Sequence, residues 1–399
     1  MPTIIFATGF EHRIAVDTPG TSVAATSQLW ESVTLGGTAS SETRPGSTGD
    51  YSLSIAAAAN TAREVSWQPA ATTRRLVGSF YFRLSAIPTG GDFRICSATT
   101  TAGGQIFLVN TSGALIAEPA GNAGDRVTGP TLTAGVWYRL DFDFDTSGTQ
   151  HSIAWAVDGA AQTTATTTDS PAAQDMTKFR FGTTATTHTN AVTALYDDAV
   201  FSYTGADYPL GAYTVKGFSP DRDVDISQVG TGSFVDAAAV AISAGNPAWD
   251  NLWDTVSSSP RVEQTAIAAA GYIEVGFAPA SRAPDAVTFI ATMRADSTSA
   301  TNGQVQINDG GTLDTFTGLI DPSESSNVNV WKTRATRPNG GTAWTLDAFN
   351  ALGARIGYST DANPDVWFCG LMLEAAFKIT PSSNPALTDH YRRSTLIRS

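Results

Sequence analysis

The chain is 399 residues long, too long for one ordinary hydrophobic core, and its 42% hydrophobic content with 10% aromatics excludes intrinsic disorder. Only 15% of residues are charged and 36 are glycine, a composition of short strands and tight turns rather than of long helices. The net charge of −13 excludes nucleic-acid binding by the surface at large, because phosphate recognition needs clustered Lys and Arg.

The opening MPTIIFATGF has no basic n-region and only a short apolar run, so no secretory signal is expected. No stretch approaches the ~20 apolar residues of a membrane span. Synthesis and folding in the cytoplasm, with no membrane partner, are the expectation. A first strand is predicted at 3–8, then others at 52–56, 76–84, 92–97 and 105–110, each bounded by Gly, Pro, Ser or Thr clusters. The strongest signal is 135–159, GVWYRLDFDFDTSGTQHSIAWAVDG. Val136, Tyr138, Leu140, Phe142 and Phe144 share one side of a period-2 strand, with Trp137, Arg139, Asp141, Asp143 and Asp145 on the other. The apolar side is expected to face a core and the charged side water. After a turn at 145–148 the inward parity resumes with Ile153, Trp155 and Val157, until Asp158-Gly159 supplies a second turn. This is the pattern of an antiparallel meander. Strands at 178–182 and 194–203 follow, and Asp207-Tyr208-Pro209-Leu210-Gly211 reads as a linker that closes a first domain at 1–208.

A second β-rich domain is predicted at 209–377, with strands at 214–218, 265–277, 285–294, 304–308, 329–334 and 366–377. Short helices are expected at 247–256 and 345–352. The two domains carry net charges of −7 and −9, whereas 378–399 is +3. In that last segment Lys378, Arg392, Arg393 and Arg398 oppose only Asp389, and Pro381 and Pro385 break any amphipathic period. It reads as an extended basic arm that contacts an acidic neighbouring subunit. Cys96 and Cys369 are far apart and read as small buried hydrophobes.

Gly9-Phe10-Glu11, the segment Gly49-Asp50-Tyr51-Ser52-Leu53, the W-Y-x-L-x-x-x-x-D run from Trp137 to Asp145, the V-D-G turn at 157–159 and L-Y-D-D at 195–198 form a set. Together they resemble concanavalin A-like lectin/glucanase (jelly-roll) domains, especially those of tailed-bacteriophage virion proteins. YPLG at 208–211 looks like the exit of that domain, and GYIEV at 271–275 and the run at 356–377 are similar to regions that follow it. The resemblance implies an all-β chain: an N-terminal concanavalin A-like jelly-roll sandwich, a second sandwich-like β domain and an extended C-terminal arm. It also implies a virion location as a capsid decoration or minor tail protein, held by other virion subunits and forming a homo-oligomer.

Glucanases of that superfamily carry an E-x-D-x-x-E strand motif, which this chain lacks. The alternate carboxylates of Asp141, Asp143 and Asp145 stand ~7 Å apart on one strand face and are read first as a solvated surface. Calcium, which takes six to eight oxygens, is the alternative for these three, and no other cofactor is expected. Asp221, Asp223 and Asp225 begin like an EF-hand, but Ile226 and Gly232 occupy the positions that need Gly and Glu. The four histidines have no zinc spacing, no G-x-S-x-G occurs, and Gly36-Gly37 and Gly310-Gly311 lack P-loop context. No catalytic residue is therefore assigned, and the chain is expected to be a structural protein and not an enzyme. The alternative function is an adhesin for host surface glycans, with Trp137, Arg139, Asp141 and Asp143 as its sugar-binding residues.

Overall fold

The computed structural model describes residues 3–10, 32–34, 38–45, 47, 49, 51–69, 73–100, 103–169, 172–184, 187–227, 234–252, 262–264, 271–295, 303–315, 328–358 and 366–379. The early strands are β1 (Ile4–Thr8), β2 (Ser32–Thr34), β3 (Thr38–Ser40), β4 (Ser52–Ala57), β5 (Arg63–Trp67) and β6 (Arg75–Leu84). Next come β7 (Phe93–Thr100), β8 (Gly103–Val109), β9 (Ala114–Glu118), β10 (Val127–Thr131) and β11 (Trp137–Asp145). The first half ends with β12 (Ser152–Val157), β13 (Ala160–Ala161), β14 (Ala165–Thr166), β15 (Lys178–Thr183) and β16 (Val192–Ser202). Beyond the linker lie β17 (Tyr213–Phe218), β18 (Pro220–Asp225), β19 (Phe234–Asp236), β20 (Val262–Gln264), β21 (Tyr272–Phe277) and β22 (Ala286–Ala295). The remainder are β23 (Gly303–Asp309), β24 (Thr312–Thr315), β25 (Val328–Arg334), helix α1 (Leu346–Asn350), β26 (Gly353–Tyr358) and β27 (Val366–Lys378).

The protein is all-β, and its described residues form four antiparallel sheets. Sheet I runs β13-β12-β11-β6-β16-β4-β3, with β1 also on β16 and β14 on β12, and sheet II runs β10-β9-β8-β7-β15-β5-β2. Sheet III runs β19-β20-β27-β22-β25, with β17 on β27, and sheet IV runs β18-β21-β26-β23-β24. The two halves repeat one device. The first strand of each pairs with the last, β1 with β16 and β17 with β27, and that last strand carries a second short strand on the same edge, β4 or β20.

Alternation decides which side chains enter the cores. Phe80, Phe142, Phe144, Phe179, Phe181 and Trp155 fill the space between sheets I and II, with Phe142 and Phe179 stacked at 5.7 Å. Gly78 is required beside them, because a Cβ there would lie 2.3 Å from the Phe142 ring. The two-sheet sandwich of the first half is consistent with the concanavalin A-like fold that the resemblance implies. Phe218, Phe289, Ile273, Ile356 and Leu373 do the same between sheets III and IV. Cys96 and Cys369 are both buried.

The halves are packed together, not strung on a linker. Trp331 of β25 is 7% exposed and belongs to the first core, edge-on to Phe6 at 5.0 Å and to Trp67 at 5.9 Å. Ile4, Ala7, Val77 and Val200 of sheet I meet Leu210, Tyr213, Val215, Ala286 and Ala376 in a separate junction cluster.

In the second half the charge run 221–225 is an edge strand, β18, begun by Pro220 where a missing N–H is tolerated. The helix expected at 247–256 is a single turn at Trp249–Asn251, with 253–256 outside the described residues. The one at 345–352 is α1, whose N-cap Thr345 accepts from Ala348 N at 3.2 Å. At the open edge of this sandwich Lys332 and Arg334 of β25 reach across to Asp314 of β24, at 2.6 Å each. Burial pushes the Asp314 carboxyl up, but the hydrogen bonds and charges of Arg334 and Lys332 outweigh it and hold it below the ordinary range. A carboxyl depressed on folding stabilises above its unfolded value of ~3.9, and that contribution is lost as pH falls through the folded value. Asp314→Asn is thus expected to flatten the acid limb of melting temperature against pH below about pH 4; parallel limbs in wild type and variant would refute the assignment.

Candidate functional site

The ladder register lays out the outer face of sheet I as rungs. Trp137, Arg83, Leu195 and Ser54 form the first, Arg139, Tyr81 and Asp197 the second, Asp141, Ser79 and Val200 the third, and Asp143, Val77 and Ser202 the fourth. The sequence assigned this whole face to water, and the structure divides it in two.

The lower rungs are closed, which corrects the reading of the aspartates as solvated. Asp141 is 0% and Asp143 5% exposed, because the linker and the second half lie over them. Gly211 N donates to Asp141 Oδ1 at 2.9 Å, while Ser79 Oγ donates to Gly211 O at 2.9 Å, so one rung holds both polar groups of one linker residue. Asp141 Oδ2 accepts from Arg139 Nε at 2.8 Å, and Asp143 accepts from Arg75 Nε at 3.0 Å and from Arg75 Nη2. Arg75 also lies 3.4 Å from Asp145, whose other oxygen caps Ser147 N. Burial pushes the Asp143 carboxyl up against the opposing pull of Arg75. Burial, then the charges of Asp141 and Asp143, push the Tyr208 hydroxyl up to about 12.

The calcium alternative meets carboxylates already engaged by arginine. Among the described residues no group of three or more His, Cys, Asp or Glu is disposed to hold a metal ion. The β18 aspartates diverge likewise: Asp221 accepts from Arg222, Asp223 from Ala248 N and Trp249 N, and Asp225 from Ser227 N and Tyr272 Oη.

The upper rungs are open at their β11 end, with Leu195 and Asp197 farther along them buried. Trp137 and Arg139 are part-exposed, and Arg139 N donates to Asp158 Oδ1 at 2.8 Å, which ties β11 to the V-D-G turn. Beside them is a depression of about 160 Å³ lined by Ser40, Glu42, Ser54, Arg83, Ser85, Thr193 and Leu195. Glu42 and Arg83 are paired in it. Hydroxyls, one carboxylate and one guanidinium line it, and Arg83 is the register partner of the part-exposed Trp137, a set that can bond sugar hydroxyls while a ring stacks. The structure thus keeps Trp137 and Arg139 on an accessible surface and separates Asp141 and Asp143 from it.

Sequence reasoning missed the centre that divides the face. Arg44 lies 4.2 Å over the Tyr81 ring, its Nε donates to Asp198 Oδ2 and its Nη2 to Tyr213 O at 3.0 Å. Asp198 Oδ1 accepts from Val215 N at 2.6 Å, and Asp197 Oδ2 from Arg44 N at 3.1 Å. Asp198 has φ +50 within the bulge that breaks the β16–β6 register, and this turns its carboxylate toward β17. The paired aspartates of L-Y-D-D were the available signal.

Of the arm residues, Lys378 ends β27, with its N–H donating to Asp285 at 2.8 Å. Arg392, Arg393 and Arg398 lie outside the described residues.

No protein-family model and no curated protein matches the chain. Solved structures that resemble it include a sialidase, at 12% identity and a TM-score of 0.36 over 52% of this chain and 19% of that one. Another is the alginate lyase AlgAT5 of polysaccharide lyase family 7, at 9% identity and 0.31 over 38% and 78%. A third is a botulinum neurotoxin type C structure, named for cell entry dependent upon two ganglioside molecules, at 8% and 0.32 over 88% and 94%. The chain thus spans about a fifth of the sialidase. The expectation that this chain is not an enzyme is corrected by these matches, since the sialidase and the lyase are enzymes by name.

Proposed function

We propose that the chain recognises carbohydrate through the open upper rungs of sheet I. The observation that carries this is the hydroxyl-lined depression around Arg83 and Glu42, where Arg83 is the register partner of the part-exposed Trp137, on a face whose other half is sealed. A sugar ring stacks on the indole edge of this surface, and its hydroxyls bond Arg83, Glu42 and the bordering Ser and Thr side chains. At about 160 Å³ the depression is smaller than the ~300–1,000 Å³ of a ligand cleft, so affinity comes from a shallow subsite repeated along a glycan rather than from enclosure. An oligosaccharide array probed with the full chain is expected to give binding that Trp137→Ala lowers at least ~10-fold, the equivalent of one lost stacking contact. Array binding insensitive to both Trp137→Ala and Arg83→Ala would overturn the site. Bound oligosaccharides, incubated and followed by mass spectrometry, report whether recognition is accompanied by cleavage.

The setting implied by the sequence resemblance, display on a tailed-phage particle with the basic arm against a neighbouring subunit, belongs to the same proposal and rests on that resemblance. Truncation after Phe377 is expected to reduce incorporation into particles and to remove its salt sensitivity; unchanged incorporation would end the arm's part in it.

A further inference from the structure

A second cleft, of about 260 Å³, opens at the edge of the second sandwich, between β24 of sheet IV and β25 of sheet III. Thr312, Leu313, Asp314, Arg334, Thr336, Arg337 and Pro338 line it, and the one lining carboxylate, Asp314, is paired with both Arg334 and Lys332. Both arginines are anchored by carboxylates, Arg334 by Asp314 in the lining and Arg337 by the buried Asp309. Arg334 donates Nε and Nη2 to Asp314 at 2.6 and 2.8 Å, and Arg337 donates the same two nitrogens to Asp309 at 3.2 and 2.7 Å. Asp309 is itself buried and accepts from Asn339 N, so it anchors Arg337 and stays away from solvent. Each guanidinium has therefore committed one edge of its fork, and among the described residues Nη1 has no hydrogen-bond partner.

Two pre-set guanidinium edges in one cleft suit a planar anion that accepts two parallel hydrogen bonds, the geometry of a carboxylate. The ordering entropy of the long arginine side chains is already met by the aspartates. The rest of the lining specifies what carries the carboxylate. Thr312 and Thr336 offer hydroxyls, and Leu313, 41% exposed, offers an apolar wall. A compact ring with hydroxyls on its rim and one apolar face matches that combination. We propose that this cleft binds the carboxylate of a sugar acid of the uronate type. The site is remote in sequence from the Trp137 face and stands independently of it.

The test is calorimetric titration of the full chain with sodium D-glucuronate, with D-glucose in parallel. Saturable glucuronate binding is expected, with glucose at least ten-fold weaker. Arg337→Lys keeps the charge opposite Asp309 but removes the fork, and it is expected to weaken binding at least ten-fold. Thr336→Val, close in shape to the native side chain, is expected to weaken it several-fold with an unchanged melting temperature, which keeps the test valid if the lysine variant folds poorly. Trp137→Ala is expected to leave this binding untouched. No saturable binding, equal binding of glucose, indifference to both cleft variants, or loss in Trp137→Ala would each overturn the proposal.

Discussion

Asp198→Ala is expected to destabilise the protein by ~3–5 kcal/mol, because it strips the counter-charge from a buried guanidinium. Arg44 is 7% exposed and its Asp198 partner 1%, so water cannot replace the lost carboxylate and only the charge of Asp197 remains beside the cation. The loss extends further, since Val215 N also loses its acceptor and the junction between the halves is opened. Asp198→Asn separates two contributions. Asn tolerates the left-handed backbone at φ +50 nearly as well as Asp, whereas Ala does not, so Asn removes charge while keeping conformation. Asn is therefore expected to cost less than Ala but well over the ~0.5 kcal/mol of an indifferent surface change. Adding Arg44→Met to Asp198→Asn is expected to restore part of the loss, since removing both charges abolishes the desolvation penalty that one leaves behind. Urea unfolding read by tryptophan fluorescence supplies these values. A cycle with no coupling between Arg44 and Asp198 would show that the pair does not join the halves.

Trp331→Ala is expected to have an effect of similar size, ~3–5 kcal/mol, through a different cause. The indole belongs to the second half by sequence and to the first core by packing, where it meets Phe6 and Trp67 edge-on. Truncation leaves a cavity in the first sandwich and removes its plug from the second. Trp331→Phe retains an aromatic edge and is expected to cost less than half as much. Two resolved unfolding transitions in the Ala variant, where wild type gives one, would show that this side chain couples the halves. Stability within ~0.5 kcal/mol of wild type would refute the packing.

The β11–β12 hairpin was legible in sequence because five apolar residues alternate with Trp137 and four charged ones and turns close both ends. The same alternation states only that Asp141 and Asp143 point away from one core. It says nothing of what lies beyond them, and the cover comes from Gly211 and the strands after it, far along the chain. Arg44 sits in a stretch with no period, and its partners are distributed over β6, β16 and β17. Strand β18 escaped because Pro and Asp, four of its six residues, are depleted in strands, and edge pairing with β21 decides the matter. Trp137 and Arg139 could be placed on one strand face from sequence because alternation is local, whereas Arg83 is set opposite Trp137, and Glu42 beside Arg83, only by register and loop placement.

The pairing of first strand with last governs how the chain is made. Phe6 finds its register partner Phe201 only after nearly the whole first half has been synthesised, and Tyr213 finds Lys378 only at the end of the second. At ~5–20 residues per second the ribosome holds each half incomplete for on the order of ten seconds or more, with a sheet edge unpaired. Such long-range closure gives a high contact order and slow folding. Nascent β16 and β27 are the segments whose emergence lets each half close, and until β16 emerges β1 lacks its pairing partner and is an edge open to aggregation.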